Sequence, residues 1–160
     1  MLNVGLCWAG SPLSRYDEHR TIPLGLLDPL IRAAPGKTRF YSLQQDIRDT
    51  DKYAFECLTE DEVLTPIGPG FSDFRETAHA MKCLDLVITV DTSVAHMAGT
   101  VGVPTWTLLT KFRTYWLWLQ GKSTTPWYPS FTLFRQSKDG DWESVIETVR
   151  AKLMGLLAAE

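Results

Sequence analysis

The chain has 160 residues, 44% of them hydrophobic and 22% charged, with a net charge of −3. That size suits one domain spanning 1–160 with a full core rather than two large ones, and the slight acidity removes the electrostatic case for binding nucleic acid. No apolar run reaches membrane-spanning length and no signal-peptide layout opens the chain; the widely spaced Cys7, Cys57 and Cys83 fit neither a disulfide framework nor paired metal ligands, so the expected setting is the reducing cytoplasm.

Asn3 to Trp8 reads as a first buried strand, followed by a long polar loop from Ala9 to Ile22. Leu24, Leu27, Ile31 and Ala34 fall at helical spacing, with Pro23 at the start, Pro35-Gly36 at the stop and Pro29 inside. Thr38 to Leu43 is a second strand. Residues 44–62 are polar and support one short helix around Tyr53 to Leu58. Val63 to Ile67 is a weak third strand, closed by Gly68-Pro69-Gly70. Phe74, Thr77, Ala78 and Met81 mark an amphipathic helix, and Asp73 with Glu76 resembles a capping box.

The most informative segment is Leu84 to Leu109, LDLVITVDTSVAHMAGTVGVPTWTLL. A β-branched run stops at the turn Asp91-Thr92-Ser93. A small-residue helix follows, with Val94, Met97, Ala98 and Val101 on its core face, and then Gly102, Pro104 and a fifth strand from Thr105. Residues 110–130 form an aromatic loop, Phe131 to Arg135 a sixth strand, and Trp142 to Leu157 a closing helix. About six strands alternating with helices imply a Rossmann-like, doubly wound α/β fold with a parallel sheet covered on both faces. In the order 3-2-1-4-5-6 the topological switch lies between strands 1 and 4. The loop after strand 1 and the turn after strand 4 should then face one crevice.

Those two stretches hold much of the chemistry. Amides of Thr92, Ser93 and Val94 at a helix start suit a phosphate; the plainer reading is that Asp91 or Thr92 merely caps the helix. Asp91 can accept from sugar hydroxyls. His96 lies in the first helical turn, within reach of a phosphate or simply as a polar surface residue. Gly10 permits close backbone approach and Ser11 supplies a hydroxyl. Arg15 and Arg20 can pair with phosphate, or with Asp17 and Glu18 in a solvated loop. Gln44 and Gln45, at the end of strand 2, suit a base edge, and Phe71 and Asp73 can wall a base pocket. Trp116, Trp118, Trp127 and Tyr128 either pack the loop onto the sheet or form a surface for a sugar or another domain.

Several chemistries lack their signatures. There is no G-x-G-x-x-G after strand 1, no G-x-x-x-x-G-K-[ST] and no G-x-S-x-G elbow. His19, His79 and His96 show no tight ligand spacing with the cysteines, so neither a metal nor a bound cofactor is expected.

Taken together, VDTSVAHMAG and GVPTWTLL resemble the donor-binding half of glycosyltransferase family 9, the heptosyltransferases. The closer resemblance is to the heptosyltransferase-like domain at the C-terminus of many bacterial tetratricopeptide-repeat proteins. There GLCWAGSP, RTIPL, SLQ, LDLVITVDTSVAHMAG, PWYPS and LFRQ recur in this order, across nearly the whole chain. The resemblance implies the C-terminal half of a two-domain B-type fold that holds a nucleotide-sugar donor such as ADP-heptose. It implies that Asp91, Thr92, Ser93, Val94 and His96 contact the diphosphate and sugar, with Ser93 standing where heptosyltransferases have glycine. Gly10 and Ser11 match a Thr-Thr pair that touches phosphate. Arg20 matches a lysine that neutralises the diphosphate, and Gln44 and Gln45 lie near a glutamate that contacts the nucleoside.

One departure is larger than any substitution. Met1 falls where the second half of such an enzyme begins, so the domain that supplies the acceptor site and catalytic base is missing. No catalytic residue is assigned. The expectation is a donor domain inactive without an acceptor domain or protein partner, or else a non-catalytic nucleotide-binding or interaction module. A homodimer through the aromatic loop is a further expectation.

Overall fold

Every residue of two interior strands, β4 (Leu86–Val90) and β5 (Thr105–Leu109), is buried. A strand loses its polar alternation in this way when helices cover both faces of a parallel sheet. The computed structural model describes residues 1–159 and shows that arrangement. Six parallel strands lie in the order β3-β2-β1-β4-β5-β6, the remaining strands being β1 (Leu2–Cys7), β2 (Thr38–Ser42), β3 (Leu64–Pro66) and β6 (Phe131–Arg135). Val4 pairs with Phe40 on one side and Leu86 on the other. The fold class and strand order are those predicted.

The helices are α1 (Asp17–Arg20), α2 (Asp28–Ile31), α3 (Lys52–Glu60), α4 (Phe74–Met81), α5 (Ser93–Val101) and α6 (Trp142–Ala158). One face of the sheet, through Leu86, Ile88, Val90 and Leu108, packs on Leu24, Leu30 and the Val145, Val149 and Leu153 stripe of α6. The other face carries Cys7, Leu43 and Val87 against Met81 of α4 and Ala98 of α5. Further along, Leu109, Phe131 and Leu133 enclose Ala95 and Trp118. Among the described residues, no helix is long and apolar enough to cross a membrane.

Several boundaries differ from the sequence expectation for identifiable reasons. The helix expected over Leu24 to Ala34 is split into a 3-10 turn, Leu24–Leu27, and the four-residue α2. Pro29 has no N–H to continue a helix begun at Leu24, but it is tolerated in the first turn of a new one. β3 shrinks to three residues, because Pro66 removes a donor and only an edge strand accepts that. Strand 4 begins at Leu86 rather than Leu84, since the Leu84 amide still donates to Met81 in the turn that closes α4. The polar loop after β1 contains the unpredicted α1.

Caps fix the helix starts. Asp73 accepts from the amides of Arg75 and Glu76 at 2.8 and 3.0 Å, and Glu76 reaches back to the Ser72 amide at 2.7 Å. Asp141 opens α6 by accepting from the Ser144 hydroxyl at 2.6 Å and the Ser144 amide at 3.2 Å, and these donors hold its carboxyl below the usual range. A lowered folded-state value means that the capping contribution is present above the unfolded value and lost as pH falls through the folded one. Asp141→Ala is therefore expected to lower the melting temperature by a few degrees at neutral pH. The gap should close in acid, as followed by circular dichroism; a gap independent of pH would remove the charged cap from this account.

Candidate functional site

At the C-terminal ends of β1 and β4 the chain leaves toward opposite sides of the sheet, and a crevice of about 1370 Å³ opens between the two departures. Gly10, Ser11, Arg20, Gln44, Asp91, Thr92, Ser93, Val94 and His96 all line it. Arg15 does not: it is exposed, with its guanidinium 5.5 Å from the Tyr16 ring centre.

One side is the start of α5. Thr92 takes the extended backbone of an N-cap, and its Oγ1 accepts from the Val94 amide at 3.2 Å. Capping and anion binding are thus compatible here. The Ala95 amide turns back to the Thr92 carbonyl, while the amide of exposed Ser93 makes no hydrogen bond among the described residues. It stands at the positive end of a nine-residue helix. The Asp91 carboxylate likewise has no hydrogen-bond or ion-pair partner among the described residues, so it is free to accept hydroxyls.

The facing side is the loop after β1. Arg20 Nη1 donates to the Asp91 carbonyl at 3.1 Å, a direct bridge between the two stretches. Its guanidinium lies over Gly10, where a β-carbon would meet Nη2 at 2.7 Å. The close approach that Gly10 permits is therefore that of a cation within the chain. Arg48, which no motif singles out, also lines the crevice and donates to the Gly10 carbonyl at 3.1 Å. It sits in the polar stretch after β2, and its signal was position: any loop at the C-terminal end of a switch-point neighbour borders the crevice.

Gln44 lines the crevice and also has partners within the chain. It is buried, its Oε1 accepts from the Ala9 amide at 3.1 Å and from Cys7 Sγ at 3.4 Å, and its Nε2 donates to the Asp46 carbonyl at 3.3 Å. The amide braces the β1 loop from its place in the crevice wall. Gln45 donates to the Phe71 carbonyl at 3.2 Å, tying the ends of β2 and β3 together. Phe112, Arg113 and Tyr115 close the crevice from the loop after β5, a contribution without any sequence signal beyond aromatic content.

His96 is held by the aromatic loop. Its Nδ1 lies 3.1 Å from the Tyr128 hydroxyl, and its ring stacks on Trp118 at 5.4 Å between centres. Gly99 makes this possible, since a β-carbon there would meet the Tyr128 ring at 2.3 Å. Trp118 is wholly buried, and removing a side chain of that size from a core costs about 3–5 kcal/mol. Trp116 and Trp127 are 62% and 54% exposed and meet edge to face. The loop divides between packing and surface.

A scan against protein-family models finds no match, and a search of curated proteins finds none either. Among the described residues, no group of three or more His, Cys, Asp and Glu side chains could hold a metal ion.

Cys7 lies buried at the crevice floor, and burial pushes its thiol up from 9.0 to about 11 although the neighbouring Thr92 and Thr89 hydroxyls pull the other way. Such a thiol is protonated and inert at neutral pH. With the folded value raised, its contribution to stability is intact below about 9 and erodes as pH rises toward 11. Iodoacetamide at pH 8 is expected to label exposed Cys83 first, half-buried Cys57 more slowly, and Cys7 only after unfolding, as read by mass spectrometry. Native labelling of Cys7 at the rate of Cys83 would contradict its place beneath the site.

Proposed function

We propose that this chain is a glycosyltransferase-type donor domain that binds a nucleoside-diphosphate sugar in the crevice between β1 and β4. The observation that carries the reading is the meeting of Arg20, Gly10 and the start of α5 in one crevice, joined by the 3.1 Å contact from Arg20 to Asp91. In this reading the Ser93 amide and the Arg20 guanidinium take the diphosphate. The free Asp91 carboxylate and the unengaged Nε2 of His96 take hydroxyls of the sugar. Transfer proceeds by attack of an acceptor hydroxyl on the anomeric carbon. The bond from that carbon to the phosphate oxygen breaks, the nucleoside diphosphate leaves with the electron pair, and the acceptor proton passes to a base. Arg20 and the helix amide stabilise the charge that collects on the leaving group, so the reading calls for no metal and no bound cofactor.

The acceptor and the base belong, on this reading, to a further domain or protein partner. Self-association through the exposed Trp116 and Trp127 of the aromatic loop would supply a second copy as that partner. The free thiols suit a reducing, cytoplasmic setting. Binding without transfer is the second reading, and one observation favours it. Of the carboxylates that line the crevice, Asp91 is assigned to the donor and Asp49 and Asp73 are ion-paired with Lys52 and Arg75, so few are left to take a proton.

Isothermal titration with ADP, UDP and GDP tests the reading, with saturable heat expected for at least one at up to millimolar concentrations. Arg20→Ala should weaken that diphosphate about 10- to 100-fold, the effect of losing one charged hydrogen-bond donor worth roughly 1.5–3 kcal/mol. The parent nucleoside should bind almost unchanged. No heat with any of the three, or equal losses for nucleoside and diphosphate, would refute the assignment. Nucleotide binding with no sugar transfer to any supplied acceptor or partner would select the binding module.

A further inference from the structure

Arg20 is not the only cation that the fold brings to this crevice. Arg48 arrives from the loop after β2, and both guanidiniums attach to one carboxylate, Asp17, whose side chain is only 8% exposed. Arg48 Nη2 ion-pairs with Asp17 Oδ2 while also donating to the Gly10 carbonyl. Arg20 Nε stands 3.7 Å from Asp17 Oδ1, too far for a hydrogen bond, and both of these atoms are buried without a hydrogen-bond partner. Arg20 spends its Nη1 on the Asp91 carbonyl instead.

A buried carboxylate needs one counter-ion, and Asp17 has a pair of them. No other carboxylate lies within ion-pair range of Arg20 or Arg48 among the described residues. The trio therefore carries one uncompensated positive charge, at the edge of a crevice that also receives the Ser93 amide. The Arg20 and Arg48 side chains keep 22% and 25% of their surface exposed toward the crevice, where an anion would complete a set that includes the unsatisfied Arg20 Nε.

We propose that Asp17 is a positioning residue that sets Arg20 and Arg48 as paired guanidiniums for one diphosphate, with Arg48 a second binding cation. This rests on reading the crevice as a diphosphate site, and it adds the residues that take the second phosphate. Planar guanidiniums suit the task because each offers several donors in a fixed fork. Asp17 does not touch the guest. It holds the two long side chains in place, so that little rotamer freedom is lost on binding.

Charge alone and positioning give opposite signs at Asp17. Neutralising it removes a negative charge near the guest, so Coulomb's law by itself strengthens anion binding. Loss of positioning weakens it. Titration of the full chain with inorganic pyrophosphate reads the sign directly, using wild type, Asp17→Asn, Arg48→Ala and Arg48→Lys, with circular dichroism to establish folding. Wild type should saturate. Asp17→Asn and Arg48→Ala should each weaken pyrophosphate about tenfold or more, and Arg48→Lys should recover part of the loss. The proposal is overturned if Asp17→Asn binds pyrophosphate as tightly as wild type or tighter, if Arg48→Ala changes nothing, or if wild type shows no saturable binding. Should Asp17→Asn fail to fold, the Arg48 pair of variants decides. Pyrophosphate binding that needs Arg48, without binding of ADP, UDP or GDP, upholds the clamp and defeats the nucleotide reading. Nucleoside-diphosphate binding indifferent to Arg48→Ala does the reverse.

Discussion

The rest of the structure depends on one topological constraint, the reversal of strand order between β1 and β4. These strands are hydrogen-bonded neighbours, but their connections run outward to opposite edges of the sheet, β1 leading to β2 and β4 to β5. Right-handed crossovers then place the two following helical segments on opposite faces. Neither connection can lie over the gap between the strand ends, so a crevice opens there whatever the side chains are. The apolar strands and capped helices keep that gap rigid on both flanks.

Side chains then give the gap its character. A helix start and the guanidiniums of Arg20, Arg48 and Arg113 are gathered on its rim beside the carboxylates of Asp46 and Asp91. Asp17 serves both Arg20 and Arg48, while the Asp91 carboxylate points to no cation. Three loops that are distant in sequence become one structure through a few hydrogen bonds: Arg20 to the Asp91 carbonyl, Arg48 to the Gly10 carbonyl and Gln44 to the Ala9 amide. Each is a side chain holding another segment's backbone, so the rim is tied together between the short α1 and the start of α5.

The aromatic loop solves a separate problem and connects it to the crevice. β6 is an edge strand, which offers unpaired backbone groups to other chains. The loop covers it: the Leu133 amide donates to the Ser123 carbonyl at 2.8 Å, and Arg135 reaches the carbonyls of Trp118, Leu119 and Lys122. The same loop drives Trp118 into the core and sets Tyr128 against Gly99, and that packing orients His96. Edge protection and site geometry thus share residues, and Trp116 and Trp127 are left outside the packing.

The sheet, its strand order and the convergence of the first loop with the Asp91 turn were legible in the amino-acid sequence. Apolar runs, glycine and proline punctuation and the Asp91-Thr92-Ser93 helix start are local signals, and handedness rules convert them into one topology. The split at Pro29 departs from the single helix that the spacing of Leu24, Leu27, Ile31 and Ala34 suggests, although the proline itself stood in view. Side-chain partnership was not legible. Nothing in the pattern around Gln44 announces that its side chain braces Ala9. Residue chemistry alone does not separate Arg15 from Arg20, and the fold brings only Arg20 to the crevice. Sequence assigned Arg48 nothing, because an arginine in a polar stretch has no periodicity to betray its partner. Local pattern reports what each segment does with its own backbone and its water-facing side. Which guanidinium meets which carboxylate is decided only when segments 31 residues apart, as Asp17 and Arg48 are, come within hydrogen-bond reach.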